Sequence, residues 1–185
     1  SIEGGATAVQ LREKNETSKK FFKTAQKLKS VLSKTKTPLI INDRVDIALA
    51  AEADGVHLGQ SDFPVMEARK ILGKKSTIGL SVETIDQVIQ ANTLDIQYLG
   101  VSPVFHTSTK PNAAKPWGLD GLRRARKISR HPLIAIGGIH AKNAQEAIFS
   151  GASGLAIVSA ICFSKNPYQA TIEIKKSIGK GKPWI

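Results

Sequence analysis

At 185 residues with 41% hydrophobic content, the chain is long enough for one ordinary domain with its own core. Its one cysteine, Cys162, excludes an internal disulfide and a cysteine-based metal site and is expected to be a small buried residue; no apolar run approaches a membrane-spanning length. The formal charge of +12 fits either a field for an anionic substrate or a nucleic-acid surface, and 5% aromatic content gives little support to a base-stacking platform. No secretory signal is recognisable, so a cytoplasmic location, with no nucleic-acid or membrane partner, is expected.

In chain order, Ser1 to Glu3 read as the last turn of a helix with Gly4 and Gly5 as its exit. A strand over 6–11 runs into Gln10, Arg12, Glu13 and Lys14. Thr17 or Ser18 caps a helix to about 33, whose stripe is Phe21, Phe22, Ala25, Leu28, Val31 and Leu32. The lysines of this segment, from Lys19 to Lys36, are expected on solvated faces. PLIINDR follows: a strand over 38–42 without polar alternation, as for a strand covered on both faces, stopping at Asn42, Asp43 and Arg44. For this dipeptide taken alone, an Asx turn with Asp43 as helix cap is the favoured reading over a ligand site.

A short helix over 45–53 leads to a strand over 55–58 with Gly59, Gln60, Ser61 and Asp62 at its exit. His57, inside that strand, reads as a core histidine. A helix over 64–72 stops at Gly73, a strand over 77–81 ends at Ser81, and a helix covers 82–91. A strand over 97–101 enters the longest irregular stretch, 102–118, a length typical of binding loops or lids. Then come a basic helix over 119–129, a strand over 133–136 ending in Gly137 and Gly138, a helix from 140 or 141 to 150, a strand over 154–158 and a helix over 166–178.

Seven strand–helix alternations without hairpin signals predict a parallel sheet covered by helices. An open doubly wound sheet would satisfy this. A closed eight-stranded barrel is favoured, because nearly every strand exit carries polar or glycine residues instead of one switch point. The expectation is one α/β domain over 1–185: a (β/α)8 barrel whose first strand–helix unit is missing from the given chain.

The exits assemble into chemistry. Arg12 and Lys14 could present two cations to a diphosphate if the strand ran on through them, although Lys14 could also simply face solvent. Asp43 and Asp62 near a phosphate site would need a hard cation between them, and Mg²⁺, which uses few carboxylates plus phosphate oxygens, is the expected ion. Ser81 adds a hydroxyl. Thr107, Ser108, Thr109 and Lys110 place three hydroxyls and a cation in the long loop. Gly137 and Gly138 with Val158 and Ser159 suggest a second, metal-free phosphate site, expected to face the first across the barrel mouth.

VQLREK at 9–14, INDR at 41–44, DGVHLGQSD at 54–62, IGLS at 78–81, PVFHTSTK at 103–110, IAIGGI at 134–139 and GLAIVSAI at 154–161 together resemble the thiamine-phosphate synthase family. The resemblance implies a (β/α)8 barrel that joins a pyrimidine diphosphate to a thiazole phosphate, or its carboxylated form, releasing diphosphate. It implies that Gln10, Arg12 and Lys14, with Asn42, Ser81 and Lys110, hold the pyrimidine diphosphate, that Arg12, Lys14, Lys110 and Ser81 serve the chemistry, and that Asp43 and Asp62 ligate Mg²⁺. Thr107, Thr109, Gly138, Val158 and Ser159 would contact the thiazole phosphate. Ser102 and His106 stand where the family commonly has glycine and proline. A thiazole tautomerase of the same fold and a non-catalytic regulatory barrel are the alternatives. Homo-oligomers are common, but no sequence feature marks a patch.

Overall fold

The computed structural model describes residues 1–109 and 115–179, which form two compact units. The first comprises Thr7–Leu80 with Leu94–Gln97. Its strands β1 (Val9–Leu11), β2 (Leu39–Asn42), β3 (Gly55–Leu58) and the start of β4 (Thr77–Val82) are parallel and follow chain order, with Leu11 beside Ile41, Asn42 beside His57 and Leu58 beside Leu80. Every residue of β2 and β3 is buried, which explains their unbroken apolar pattern.

Helix α1 (Ser18–Ser33) starts where Thr17 accepts the Lys20 N–H at 3.4 Å, and it buries Phe21, Ala25 and Leu32 at helical spacing. Val31, expected in the stripe, is 62% exposed, since it lies one position off the buried face. Lys19, Lys20, Lys23, Lys27, Lys34 and Lys36 are exposed. The half-buried Lys29 instead reaches Asp54, whose Oδ2 accepts from Lys29 Nζ and from the Leu39 N–H, each at 2.8 Å. One carboxylate thus ties α1 to the starts of β2 and β3. Helices α2 (Val45–Ala50) and α3 (Val65–Leu72) complete the unit, α3 stopping at Gly73 with φ 78°. Residues 94–97 belong here because Gln97 Oε1 accepts from the Ile78 N–H at 2.7 Å and from Arg69 at 2.8 Å. The next strand begins at Tyr98, one residue later than expected.

The second unit comprises Ser1–Ala6, Ser81–Thr93 and the described residues from Tyr98 onward. Its strands β5 (Tyr98–Val101), β6 (Leu133–Ile136) and β7 (Gly154–Ala156) are again parallel and sequential. Helices α4 (Ile85–Ala91), α5 (Gly118–Ile128), α6 (Ala144–Phe149), α7 (Ser159–Cys162) and α8 (Pro167–Ser177) accompany them. The N-terminal residues form a turn, as expected, in which Gly5 N–H donates to the Ile2 carbonyl at 2.8 Å.

Several boundaries differ from expectation for local reasons. Helix α4 begins three residues late because Val82 stays in β4 and Thr84 is the cap, accepting from Gln87 N–H. Helix α6 begins at Ala144 because residues 141–143 make a turn first. Strand β1 covers only Val9–Leu11, and β7 ends at Ala156 because Val158 already precedes the four-residue helix α7, which is too short to show a period. Cys162, on α7, is exposed and not part of the core.

Gly55 is the tightest point of the first unit: a Cβ there would lie 2.0 Å from the Thr77 carbonyl oxygen. Because that neighbour is backbone and cannot rotate away, Gly55→Ala should destabilise the fold by about 3 kcal/mol or more, read as a lowered midpoint in urea unfolding.

Candidate active site

In the first unit, the ends of β1, β2 and β3 bring Lys14, Asp43 and Asp62 together. Asp43 follows the last residue of β2 in the left-handed region, φ 64°, and its N–H donates to the His57 carbonyl at 2.8 Å. Asn42, at the end of β2, is buried. Asp43 is not the cap of α2: Arg44 holds that position without a side-chain cap bond, and the Asp43 carboxylate forms an ion pair and hydrogen bond with Lys14. Lys14 therefore does not simply face solvent. Asp62 Oδ2 accepts the Gly59 N–H at 2.7 Å, which holds the carboxylate back over the end of β3.

The two carboxyls lie close enough to influence each other, and their proton affinities split. Burial, with the Asp62 carboxyl close by, raises Asp43 against the opposing pull of Lys14. At Asp62 burial also acts upward but is outweighed by the Asp43 carboxyl, the Gly59 N–H and the charge of Lys14, so Asp62 sits below the usual range. Two partly buried acids share too little positive charge. Gln10 and Arg12 are exposed nearby in sequence, but β1 stops at Leu11, so strand alternation does not carry through to Lys14; the position of Lys14 comes instead from its pairing with Asp43. Ser81 lies within β4, half-buried, since that strand runs on to Val82.

In the second unit, a cavity of about 570 Å³ is lined by Phe105, His106, Gly138, His140, Asn143 and Ser159, among others. Gly137 and Gly138 have φ 94° and 66°. A Cβ on Gly138 would meet the His106 carbonyl oxygen at 2.5 Å, and one on Gly137 would meet Pro103 at 2.7 Å and Thr107 at 3.5 Å. Glycine is required at both positions because the loop after β5 lies against them. Phe105 N–H closes the contact on the Gly137 carbonyl at 3.1 Å. The structure thus joins Gly138, Ser159 and the 105–107 segment. Val158 is 46% exposed just before Ser159, Thr109 is exposed with its N–H on Thr107 Oγ1 at 3.2 Å, and Lys110 lies outside the described residues. Sequence reasoning missed Asn143 and His140 as site residues; the helix expected from 140 or 141 placed Asn143 inside it, whereas it precedes the helix.

Residues 1–161 match the family model described as thiamine monophosphate synthase. The chain belongs to that family. A thiamine-phosphate synthase of Albidiferax ferrireducens is 49% identical over 178 residues, covering 96% of this chain and 81% of the relative. One from Vibrio parahaemolyticus is 49% identical over 92% of this chain and 83% of its own length. The solved thiamine phosphate pyrophosphorylase of Pyrococcus furiosus superposes with a TM-score of 0.89 at 35% identity, covering 97% of this chain and 86% of that one. The fold class is accordingly that of the (β/α)8 barrel, with seven strand–helix units in this chain, as expected from the strand–helix alternation.

The split acids give a stability test for this synthase-family chain. A carboxyl whose folded pKa is raised binds its proton more tightly when folded, so its ionisation costs stability as pH rises from the unfolded value, about 3.9, through the folded one. Asparagine tolerates the left-handed backbone and removes that charge. Asp43→Asn should therefore melt about 2–4 °C above wild type at pH 7 with chelator present, and the difference should vanish below about pH 4.

Proposed function

We propose that this chain performs its family's reaction: transfer of the aminopyrimidine methylene group from its diphosphate to the ring nitrogen of the thiazole phosphate, giving thiamine phosphate and diphosphate. The observation that carries the reading is the Lys14–Asp43–Asp62 cluster at three successive strand ends. A thiazole tautomerase handles the thiazole phosphate alone and needs no such cluster. We take residues 1–185 as one barrel domain acting on small molecules in the cytoplasm; among the described residues no helix is long and apolar enough to cross a membrane.

The acid pair fits a divalent cation. Asp43 and Asp62 lie close together, and burial with the Asp62 carboxyl nearby raises Asp43 despite Lys14, so the pair favours an added positive charge. Two carboxylates are a sparse protein contribution of the kind Mg²⁺ uses when phosphate oxygens and waters complete its shell. When bound, the ion would neutralise charge on the departing diphosphate.

The chain's own residues do the remaining work. Gln10, Asn42 and Ser81 position the pyrimidine diphosphate. Arg12 supplies a fixed fork to its oxygens, and Lys14 exchanges Asp43 for a diphosphate oxygen once that carboxylate is engaged. Lys110 adds a further cation from the long loop. Gly138, Thr107, Thr109, Val158 and Ser159 hold the thiazole phosphate so that its ring nitrogen is presented to the methylene carbon. An electron-rich aminopyrimidine stabilises positive charge on that carbon, so carbon–oxygen cleavage can run ahead of attack. The nucleophilic nitrogen carries no proton, so no general base is required, and leaving-group stabilisation is the main demand.

Two measurements test these roles. Calorimetry should show tight Mg²⁺ binding only with diphosphate present; equal affinity without phosphate would remove the two-carboxylate site. In steady-state kinetics with each substrate varied, Lys110→Ala should lower turnover by about a hundredfold, as for loss of a transition-state contact of roughly 3 kcal/mol, whereas Ser159→Ala should chiefly raise KM for the thiazole phosphate. A Lys110→Ala enzyme with normal turnover and a raised thiazole KM would move Lys110 to the other phosphate.

A further inference from the structure

Asn143 occupies the cap position of α6 but makes no side-chain cap bond to that helix. Its amide is turned to the preceding loop instead. Oδ1 accepts the His140 N–H at 2.8 Å, Nδ2 donates to the Gly138 carbonyl at 2.8 Å, and Nδ2 also lies 3.3 Å from His140 Nε2. The partners fix which end of the amide is which: a backbone N–H must meet the oxygen and a carbonyl must meet the nitrogen. The residue held this way, Gly138, has the left-handed φ of 66° and lines the same cavity as Ser159.

We infer that Asn143 is a positioning residue for anion capture in this cavity: by holding the Gly138 carbonyl away from an incoming phosphate, it keeps the glycine turn in its phosphate-accepting form. The peptide group is planar, so fixing the Gly138 oxygen also fixes the Ile139 N–H on the opposite side. Without the amide, two consecutive glycines could rotate and present a carbonyl oxygen, which repels phosphate, where an N–H should be. The partner chemistry is a phosphate monoester, and its identification as the thiazole phosphate rests on the function proposed above.

Asn143→Asp and Asn143→Ser separate this role from helix capping. Both residues cap helices about as well as asparagine, and aspartate retains an acceptor for the His140 N–H, but ionised aspartate has no donor for the Gly138 carbonyl, and the shorter serine, with a single hydroxyl, does not span both partners as the two-ended amide does. Calorimetric titration with the thiazole phosphate should show affinity weakened about tenfold or more in both variants, with melting temperatures near that of wild type. KM for the pyrimidine diphosphate should stay within about twofold, as befits loss at one anion site only. Unchanged thiazole phosphate affinity in a folded variant overturns the inference, as does a wild-type protein that binds no thiazole phosphate, and so does equal weakening of both substrates. Should aspartate fail to fold, the serine variant decides alone. Wild-type protein that binds the thiazole phosphate in an Asn143-dependent way yet makes no product would leave the inference standing and overturn the proposed reaction.

Discussion

Two neighbouring carboxyls, one of them paired with a lysine, are the constraint on which the first unit is built. Asp43 reaches its place only because the backbone after β2 turns left-handed and its N–H is taken by the His57 carbonyl of β3. Asp62 reaches its place because the Gly59 N–H draws its carboxylate back over the strand end. A folded chain without use for these charges would gain by losing one of them, since burial raises Asp43 despite the nearby ammonium. The proposed function gives these charges a use, as a site for a cation and a polyanion.

On the proposed function, the second unit has the opposite task, holding an anion without a metal. Its solution is geometric: Gly137 and Gly138 take positive φ and lie under the loop after β5 so closely that no Cβ fits at either position. Backbone N–H groups become available to a ligand in such a turn because strand and helix ladders no longer use them. The same closeness ties Thr107 and His106 to the glycines, so one part of the long loop is fixed by packing before any ligand arrives.

Much of this was legible in the residues. The fully buried β2 and β3 announced themselves as apolar runs, and their ends fell where Asn42 and Leu58 put them. Asp43 and Asp62 were legible as a pair, because each is the carboxylate following a parallel strand. The pairing of Lys14 with Asp43 was not, since it joins residues 29 apart and follows from the parallel register of β1 on β2, not from alternation along QLREK. Asn143 was hidden for a different reason: the expected helix began at 140 or 141 and enclosed it, and only the structure shows that the helix starts after it and that its bonds go to the loop. The four residues of α7 and the exposure of Cys162 on it carry no periodic signal at all.

The net charge of +12 and the site chemistry operate on different scales. The exposed lysines of α1 contribute to a long-range field that favours approach of anionic substrates. At physiological ionic strength that field decays over about 8 Å, so lysines on an outer helix face cannot discriminate a diphosphate from any other anion. Discrimination must come from groups whose partners are already fixed. Lys14 is such a group, because Asp43 holds its ammonium at the strand ends, whereas Lys19, Lys23 and Lys27 on α1 are exposed to solvent. A cation restrained by an acid that a metal can claim loses little further entropy when it turns to a phosphate oxygen. On the proposed function, the surplus of positive charge thus governs encounter, and the few charges tied to Asp43 and Asp62 govern recognition.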